Sequence, residues 1–138
     1  MKTSLGHIQI NVADAQVSLP FYKSLFAYFE YKTIDESPEH LGVTNGTTDF
    51  WIIQTEQKHT GKEFHRKATG LNHICFKAHS KEDVDRFVVE FLTRQNLSLL
   101  YGTPKLFPEY KAGYYAVFFE DPDRVKLEVA YIPGSNIN

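Results

Sequence analysis

Leu5-Gly6-His7-Ile8-Gln9-Ile10 returns 66 residues later as Leu71-Asn72-His73-Ile74-Cys75-Phe76, and this repetition decides how the rest of the chain is read. In each copy apolar and polar side chains alternate, the period of two that gives a strand two different faces. Ile8, Ile10 and Val12 form one face of residues 5–12, and His7, Gln9 and Asn11 form the other. Residues 71–78 divide in the same way, with Ile74, Phe76 and Ala78 set against His73, Cys75 and Lys77. Both histidines open the polar face. Beyond the strands the copies stay in step: Asp14 meets Ser80, two residues suited to helix capping, Phe21 meets Phe87, and Tyr22, Leu25 and Phe26 meet Val88, Phe91 and Leu92. Two copies are fewer than a solenoid needs, so the repeat predicts a pseudo-symmetric pair of units rather than an array.

The second helix has the clearer signal. Ser80-Lys81-Glu82-Asp83 resembles a capping box with Asp in the acidic position, and helical spacing of apolar residues carries on to about Arg94. In the first copy Pro20 would cost about 3 kcal/mol in a helix interior, so the expected helix takes Ser18 as its cap, keeps Pro20 in the first turn and ends near Tyr28. Strand-like segments follow at 30–34, 41–44 and 50–54, then at 97–100, 114–120 and 125–131. Each half therefore reads βαβββ, an α+β arrangement, with modules over about 4–56 and 70–133 and a polar joining loop at 57–69. Asn45-Gly46 and Asp121-Pro122-Asp123 supply turn chemistry between strands. Residues 102–113 read as a second long connection, stiffened by Pro104 and Pro108, with Phe107 and Tyr110 available to cover a cavity.

Composition narrows the function. The 138 residues carry a formal net charge of −2, with 42% hydrophobic and 23% charged residues, a balance that suits one ordinary soluble domain and disfavours nucleic-acid or membrane-surface partners. No apolar run reaches the roughly 18 residues that a spanning helix requires, and Met1–Gly6 leads into a strand rather than a signal core, so a cytoplasmic protein is expected. Cys75, the single cysteine, has no internal partner for a disulfide. It shares a face with His73 and reads as packing rather than as a reactive thiol. Neither a Gly-rich phosphate loop nor a nucleophile-elbow serine is present.

The run Gly113-Tyr114-Tyr115-Ala116-Val117-Phe118-Phe119-Glu120-Asp121-Pro122-Asp123-Arg124-Val125-Lys126-Leu127-Glu128, taken with the two histidine-opened modules, resembles the vicinal oxygen chelate superfamily. That group includes glyoxalase I, extradiol dioxygenases, fosfomycin-resistance enzymes and bleomycin-binding proteins, and the resemblance runs from Leu5 to Tyr131. It implies mixed sheets curled around a cup in a pseudo-twofold arrangement. It also implies a divalent metal ion (Fe, Mn, Zn or Ni) held by His7, His73 and Glu128, with Glu128 also the catalytic group, and a homodimer whose cup is completed within one chain or between two. Strand parity agrees, because Glu128 lies between Leu127 and Val129 and so points away from the face that they bury. Two imidazoles and a carboxylate leave positions open for two adjacent substrate oxygens. The first module departs from the four-ligand glyoxalase pattern: laid without a gap against 114–129, residues 39–54 set Ile53 opposite Glu128, and a one-residue slip presents Gln54. Neither is a carboxylate, and Asp49 and Glu56 stand further away.

Candidate substrate contacts are Gln9 and Asn11 beside His7, Trp51, His65 and Arg66 of the basic stretch Phe64-His65-Arg66-Lys67, and Tyr114 and Tyr115. The basic stretch would favour an anionic substrate, although His65 reads first as loop surface. Tyr114 and Tyr115 alternate, so one faces the cup, and parity alone leaves open which. The expected function is a metal-dependent enzyme acting on a small oxygen-rich substrate by lyase, isomerase or dioxygenase chemistry. The alternative is a metal-free, drug-sequestering protein with Trp51, Tyr114, Tyr115 and Phe107 as walls. A family member serving only in a protein assembly is the third reading.

Overall fold

The computed structural model describes residues 1–135, and the chain forms two compact units, Met1–Glu63 and Phe64–Asn138. In the first unit, strand β1 (His7–Val12) leads into helix α1 (Ala15–Tyr28), followed by β2 (Lys32–Glu36), β3 (His40–Thr44) and β4 (Asp49–Gln54). The second unit repeats the order with β5 (His73–Ala78), α2 (Lys81–Phe87), β6 (Leu99–Leu106), β7 (Tyr115–Glu120) and β8 (Lys126–Tyr131). Each unit has its own four-stranded mixed sheet, in the orders β1-β4-β3-β2 and β5-β8-β7-β6. The first strand pairs in parallel with the last, as a connection through a helix permits, and the other pairs are antiparallel.

One face of each sheet is covered by the unit's own helix. Phe21, Tyr22, Leu25 and Phe26 of α1 are buried, as are Ile10, Val12, Leu41, Val43, Phe50 and Ile52 of the sheet, and the rings of Phe26 and Phe50 stand 4.9 Å apart. In the second unit Phe87 of α2 packs 5.5 Å from Phe119 of β7, among buried Ile74, Val117, Leu127 and Val129. Burying a large apolar side chain contributes about 1.5–3 kcal/mol, so these two faces supply the main driving force for the fold.

Helix α1 starts earlier than the sequence predicts. Asp14, not Ser18, is the cap: its side chain accepts a hydrogen bond from the Gln16 amide at 2.9 Å, and Pro20 lies inside the helix. The side-chain oxygen of Gln54 adds a second tie, accepting from the Ala15 amide at 2.7 Å while its Nε2 donates to the Ala13 carbonyl at 2.9 Å. Ala15 and Ser18 are both buried by this earlier start, whereas Pro20 and the Gln16 four residues before it are exposed, where water can reach a carbonyl that proline cannot bond. Ser80 caps α2 as expected, accepting from the Asp83 amide at 3.1 Å. Past Phe87 the helix widens into a π-helical turn, Val88–Leu92, closed by the Thr93 amide on the Val88 carbonyl.

Residues 102–113 are not the single loop expected. Strand β6 runs to Leu106 through an irregular stretch in which Tyr101 and Gly102 have φ of 59° and 63° and the Thr103–Pro104 peptide is cis. The pairing of β6 with β7 shifts between Leu100 and Lys105. Thr103 holds this bulge to the sheet, its hydroxyl donating to the Leu100 carbonyl at 2.7 Å and accepting from the Phe118 amide at 3.0 Å. At the other end of β7, the buried Asp121 carboxylate accepts from the Asp123 and Val125 amides and builds the expected turn. Among the described residues no helix is long and apolar enough to cross a membrane.

Candidate functional site

The second sheet's face opposite α2 carries the chemistry. Register aligns His73 with Lys126 and Cys75 with Glu128 across the parallel pair, and Phe118 with Glu128 and Glu120 with Lys126 across the antiparallel one. All six residues therefore point to one side. The face is hollowed, because the β6 bulge and the segment after it raise a rim. A hollow of about 470 Å³ is lined by His73, Tyr101, Phe107, Tyr110, Tyr114, Phe118, Lys126 and Glu128. Its apolar wall is anchored by buried Phe107, Ala116, Phe118 and Ala130. Phe107 and Tyr110 stack with ring centroids 5.4 Å apart, the covering role that their sequence position suggests.

Glu128 is 2% exposed, and a buried carboxylate is costly unless both oxygens are engaged. Tyr114 donates its hydroxyl to Oε1 at 2.6 Å, and His73 presents Nε2 to Oε2 at 3.1 Å. The other ring nitrogen of His73, Nδ1, lies 2.8 Å from Asn72 Oδ1. Asn72 is itself oriented, since its Nδ2 donates to the Arg66 carbonyl at 3.0 Å, so Oδ1 is the acceptor and Nδ1 carries the proton. In the neutral ring Nε2 then offers only a lone pair to a carboxylate oxygen. Two acceptors at 3.1 Å repel unless a cation lies between them, and that cation is either a proton or a metal ion.

The donor set suits a metal. Imidazole and carboxylate together serve the divalent ions of the Mn-to-Zn series. Nε2 of His73 and Oε2 of Glu128, 3.1 Å apart, are the two atoms that would hold such an ion. Asn72 supplies the supporting contact that metal-bound histidines usually have. Within either unit, among the described residues, no third His, Cys, Asp or Glu completes the cluster.

The same site silences Cys75. Desolvation first, and the Glu128 charge second, push its thiol up to about 12, although solvent reaches part of the residue. The Tyr114 hydroxyl is raised as well, by desolvation and by its hydrogen bond to Glu128. Of the two tyrosines it is Tyr114 that faces the hollow. Tyr115 leaves the candidate set: it points to the helix side, donates to Asp85 at 2.7 Å, and is pushed up to about 12 by desolvation and then by that contact.

The remaining residues named from sequence are dispersed. His7, Gln9 and Asn11 share the exposed face of β1, opposite α1, as parity predicts. Trp51 and Ile53 of β4 lie on that same face, paired with Gln9 and Asn11. Comparison of registers corrects the first-module equivalent of Glu128. Glu128 pairs with Cys75, two residues after His73, and the residue that pairs with Gln9, two after His7, is Trp51 rather than Ile53 or Gln54. The gapless comparison is two residues out: one comes from β3 itself, where the register matches Phe118 with Gly42 rather than Val43, and one from the turns, since four residues join β3 to β4 but five join β7 to β8. Gln54 is spent on α1, and Asp49 stands opposite His7. Arg66 is bound to Glu120, which neutralises the charge expected to meet a substrate. His65 is loop surface, its Nδ1 accepting from the Lys67 amide at 3.2 Å. The sequence reading missed Lys126, Tyr101 and Asn72. Parity could have found Lys126, two residues before Glu128 on the same face; the other two depend on a bulge and a turn that no periodicity signals.

Comparison with known proteins agrees with this architecture. The profile of the Glyoxalase/Bleomycin resistance protein/Dioxygenase superfamily matches residues 4–129. The uncharacterized protein YqjT of Bacillus subtilis is 33% identical over 125 residues, covering 91% of this chain and 96% of that one. The metallothiol transferase FosB of Staphylococcus epidermidis is 26% identical over 127 residues, covering 92% and 80%. Among solved structures, a provisionally named glyoxalase from Bacillus halodurans superposes with a TM-score of 0.83 at 34% identity, covering 93% of this chain and 95% of its own. Lactoylglutathione lyase from Agrobacterium tumefaciens shares the fold at a TM-score of 0.69 and 17% identity, with 95% of each chain covered. With two βαβββ units, a strand histidine opening each and a profile match across nearly its whole length, the chain belongs to the Glyoxalase/Bleomycin resistance protein/Dioxygenase superfamily.

Proposed function

We propose that the chain is a metal-dependent enzyme acting on a small oxygen-rich substrate, with His73 and Glu128 as two of the metal's donors. The observation that carries this reading is the facing of Nε2 and Oε2 at 3.1 Å on a carboxylate otherwise satisfied by Tyr114. Likeness to a protein named metallothiol transferase supports it. When bound, a divalent ion supplies Lewis acidity at a substrate oxygen that gains negative charge. The chain's own groups do the positioning. Tyr114 holds Oε1 so that Oε2 stays turned to His73, Asn72 keeps the His73 proton on Nδ1, and Phe107, Tyr110 and Phe118 keep water from one side of the hollow. Glu128 is the group best placed to take up a proton from a substrate held there.

Elemental analysis of protein purified without added metal tests the reading. Near-stoichiometric metal that is lost in His73→Ala and in Glu128→Ala is the expected result. Unchanged metal in both variants, or none in the wild type after exposure to Mn, Fe, Zn and Ni ions, would overturn it.

One observation favours a second reading. Trp51 fills the first-module position equivalent to Glu128, and an indole in place of a carboxylate suits a binding wall. On that reading the protein sequesters a small aromatic molecule without metal, and chelator treatment leaves its affinity unchanged.

A further inference from the structure

We propose that Lys126 forms an anion subsite in the hollow of the second unit, so that the substrate is a small organic oxyanion bearing a carboxylate, phosphonate or phosphate group. The proposal rests on the metal-site reading above and names the substrate class for it.

Lys126 opens β8 on the same face as Glu128, and its ammonium lies 5.6 Å from the centre of the Tyr101 ring and 5.3 Å from that of Phe118. Each carboxylate within easy reach is already engaged. Glu120, directly across the strand pair, binds Arg66 and has the Arg124 guanidinium 3.8 Å away. Glu128 accepts from Tyr114 at one oxygen and has the other turned to His73 Nε2. Among the described residues Lys126 makes no ion pair, and two aromatic faces hold its charge in a half-buried place. Cation–π contacts offset part of the desolvation of an ammonium, but its three N–H donors still require acceptors.

Geometry extends the argument to the substrate. Alternate residues on one face of a strand stand roughly 7 Å apart along the chain, so a molecule with a few atoms between an anionic end and a reacting oxygen can span Lys126 and the His73–Glu128 pair. Tyr110, stacked on Phe107, adds an aromatic wall to the same hollow, suited to a flat or apolar substituent. Arg66 contributes indirectly: by taking Glu120, it leaves Lys126 without that carboxylate as an ion-pair partner.

The test is titration of phenylphosphonate, benzoate and neutral benzamide into the protein as purified and after chelation. Either anion should bind at least about tenfold more tightly than benzamide, the scale expected of one charge-assisted hydrogen bond. Lys126→Gln should lose roughly tenfold or more of that affinity, Lys126→Arg should keep it within about threefold, and Lys81→Gln, a charge removed from the helix side, should change nothing. Binding of one anion only supports the subsite and identifies its head group. Equal affinity for benzamide, no anion binding by the wild type, or affinity unaffected by Lys126→Gln would overturn the proposal. The metal reading fails separately: anion affinity that depends on Lys126 in a protein that never takes up metal leaves the subsite standing alone, whereas bound metal with no Lys126 dependence does the reverse.

Discussion

Trp51 lies flat over Gly42, its cross-strand partner, so closely that a Cβ added to Gly42 would stand 2.6 Å from the indole. The absence of a side chain at Gly42 lets the only tryptophan of the chain rest on the sheet at the position where the second unit carries Glu128. Phe118 is the second unit's counterpart of Gly42.

Gly42→Ala should therefore lift the indole. Overpacking of this kind costs about 1–3 kcal/mol, and because Trp51 is the sole tryptophan its fluorescence reports the displacement directly. A shifted emission maximum with a lower unfolding midpoint is expected; an unchanged spectrum would place Trp51 elsewhere.

Tyr114→Phe removes one hydroxyl and leaves Oε1 of a buried carboxylate without its donor. Loss of about 1–3 kcal/mol of stability is expected in urea unfolding, with a drop in metal affinity of about 10–100-fold, the usual effect of losing a contact that orients a ligand. Stability and affinity both equal to wild type would show that the hydroxyl does not hold Glu128.

Cys75 should react slowly although solvent reaches the residue. A thiol pushed up from 9.0 to about 12 is almost wholly protonated at pH 8, so alkylation by iodoacetamide should be slower than that of a free cysteine by a factor on the order of a hundred or more. Glu128→Gln removes a charge that raises this value and should speed the reaction, as mass spectrometry can follow. Because the folded value is raised, the thiol's contribution to stability is complete below about pH 9 and is lost as pH climbs toward about 12.

The fold was legible in the sequence because its signal is doubled. A period of two in residues 5–12 and 71–78 and the shared helical spacing after each define both units, and the parity of Leu127-Glu128-Val129 directs the carboxylate away from the helix. What was not legible depends on contacts between distant residues. The start of α1 is set by Gln54, 39 residues from Ala15, which local propensity cannot register. Trp51 as the counterpart of Glu128 depends on a one-residue offset between β3 and β7 and a further one-residue difference between two turns. Tyr101 reaches the hollow through a bulge in β6, and Arg66 is taken by Glu120, 54 residues away. Periodicity locates faces, but it does not tell which charges on a face are already matched.

The central claim is that a cation other than a proton can occupy the space between His73 and Glu128. Nitrogen-15 NMR of the histidine side chains during titration of metal-free protein with Zn²⁺ tests it most directly. The account predicts that Nε2 of His73 shifts as one ion binds while Nδ1 keeps its proton toward Asn72, and that Glu128→Gln abolishes the change. A His73 signal that stays put at saturating Zn²⁺ would contradict it.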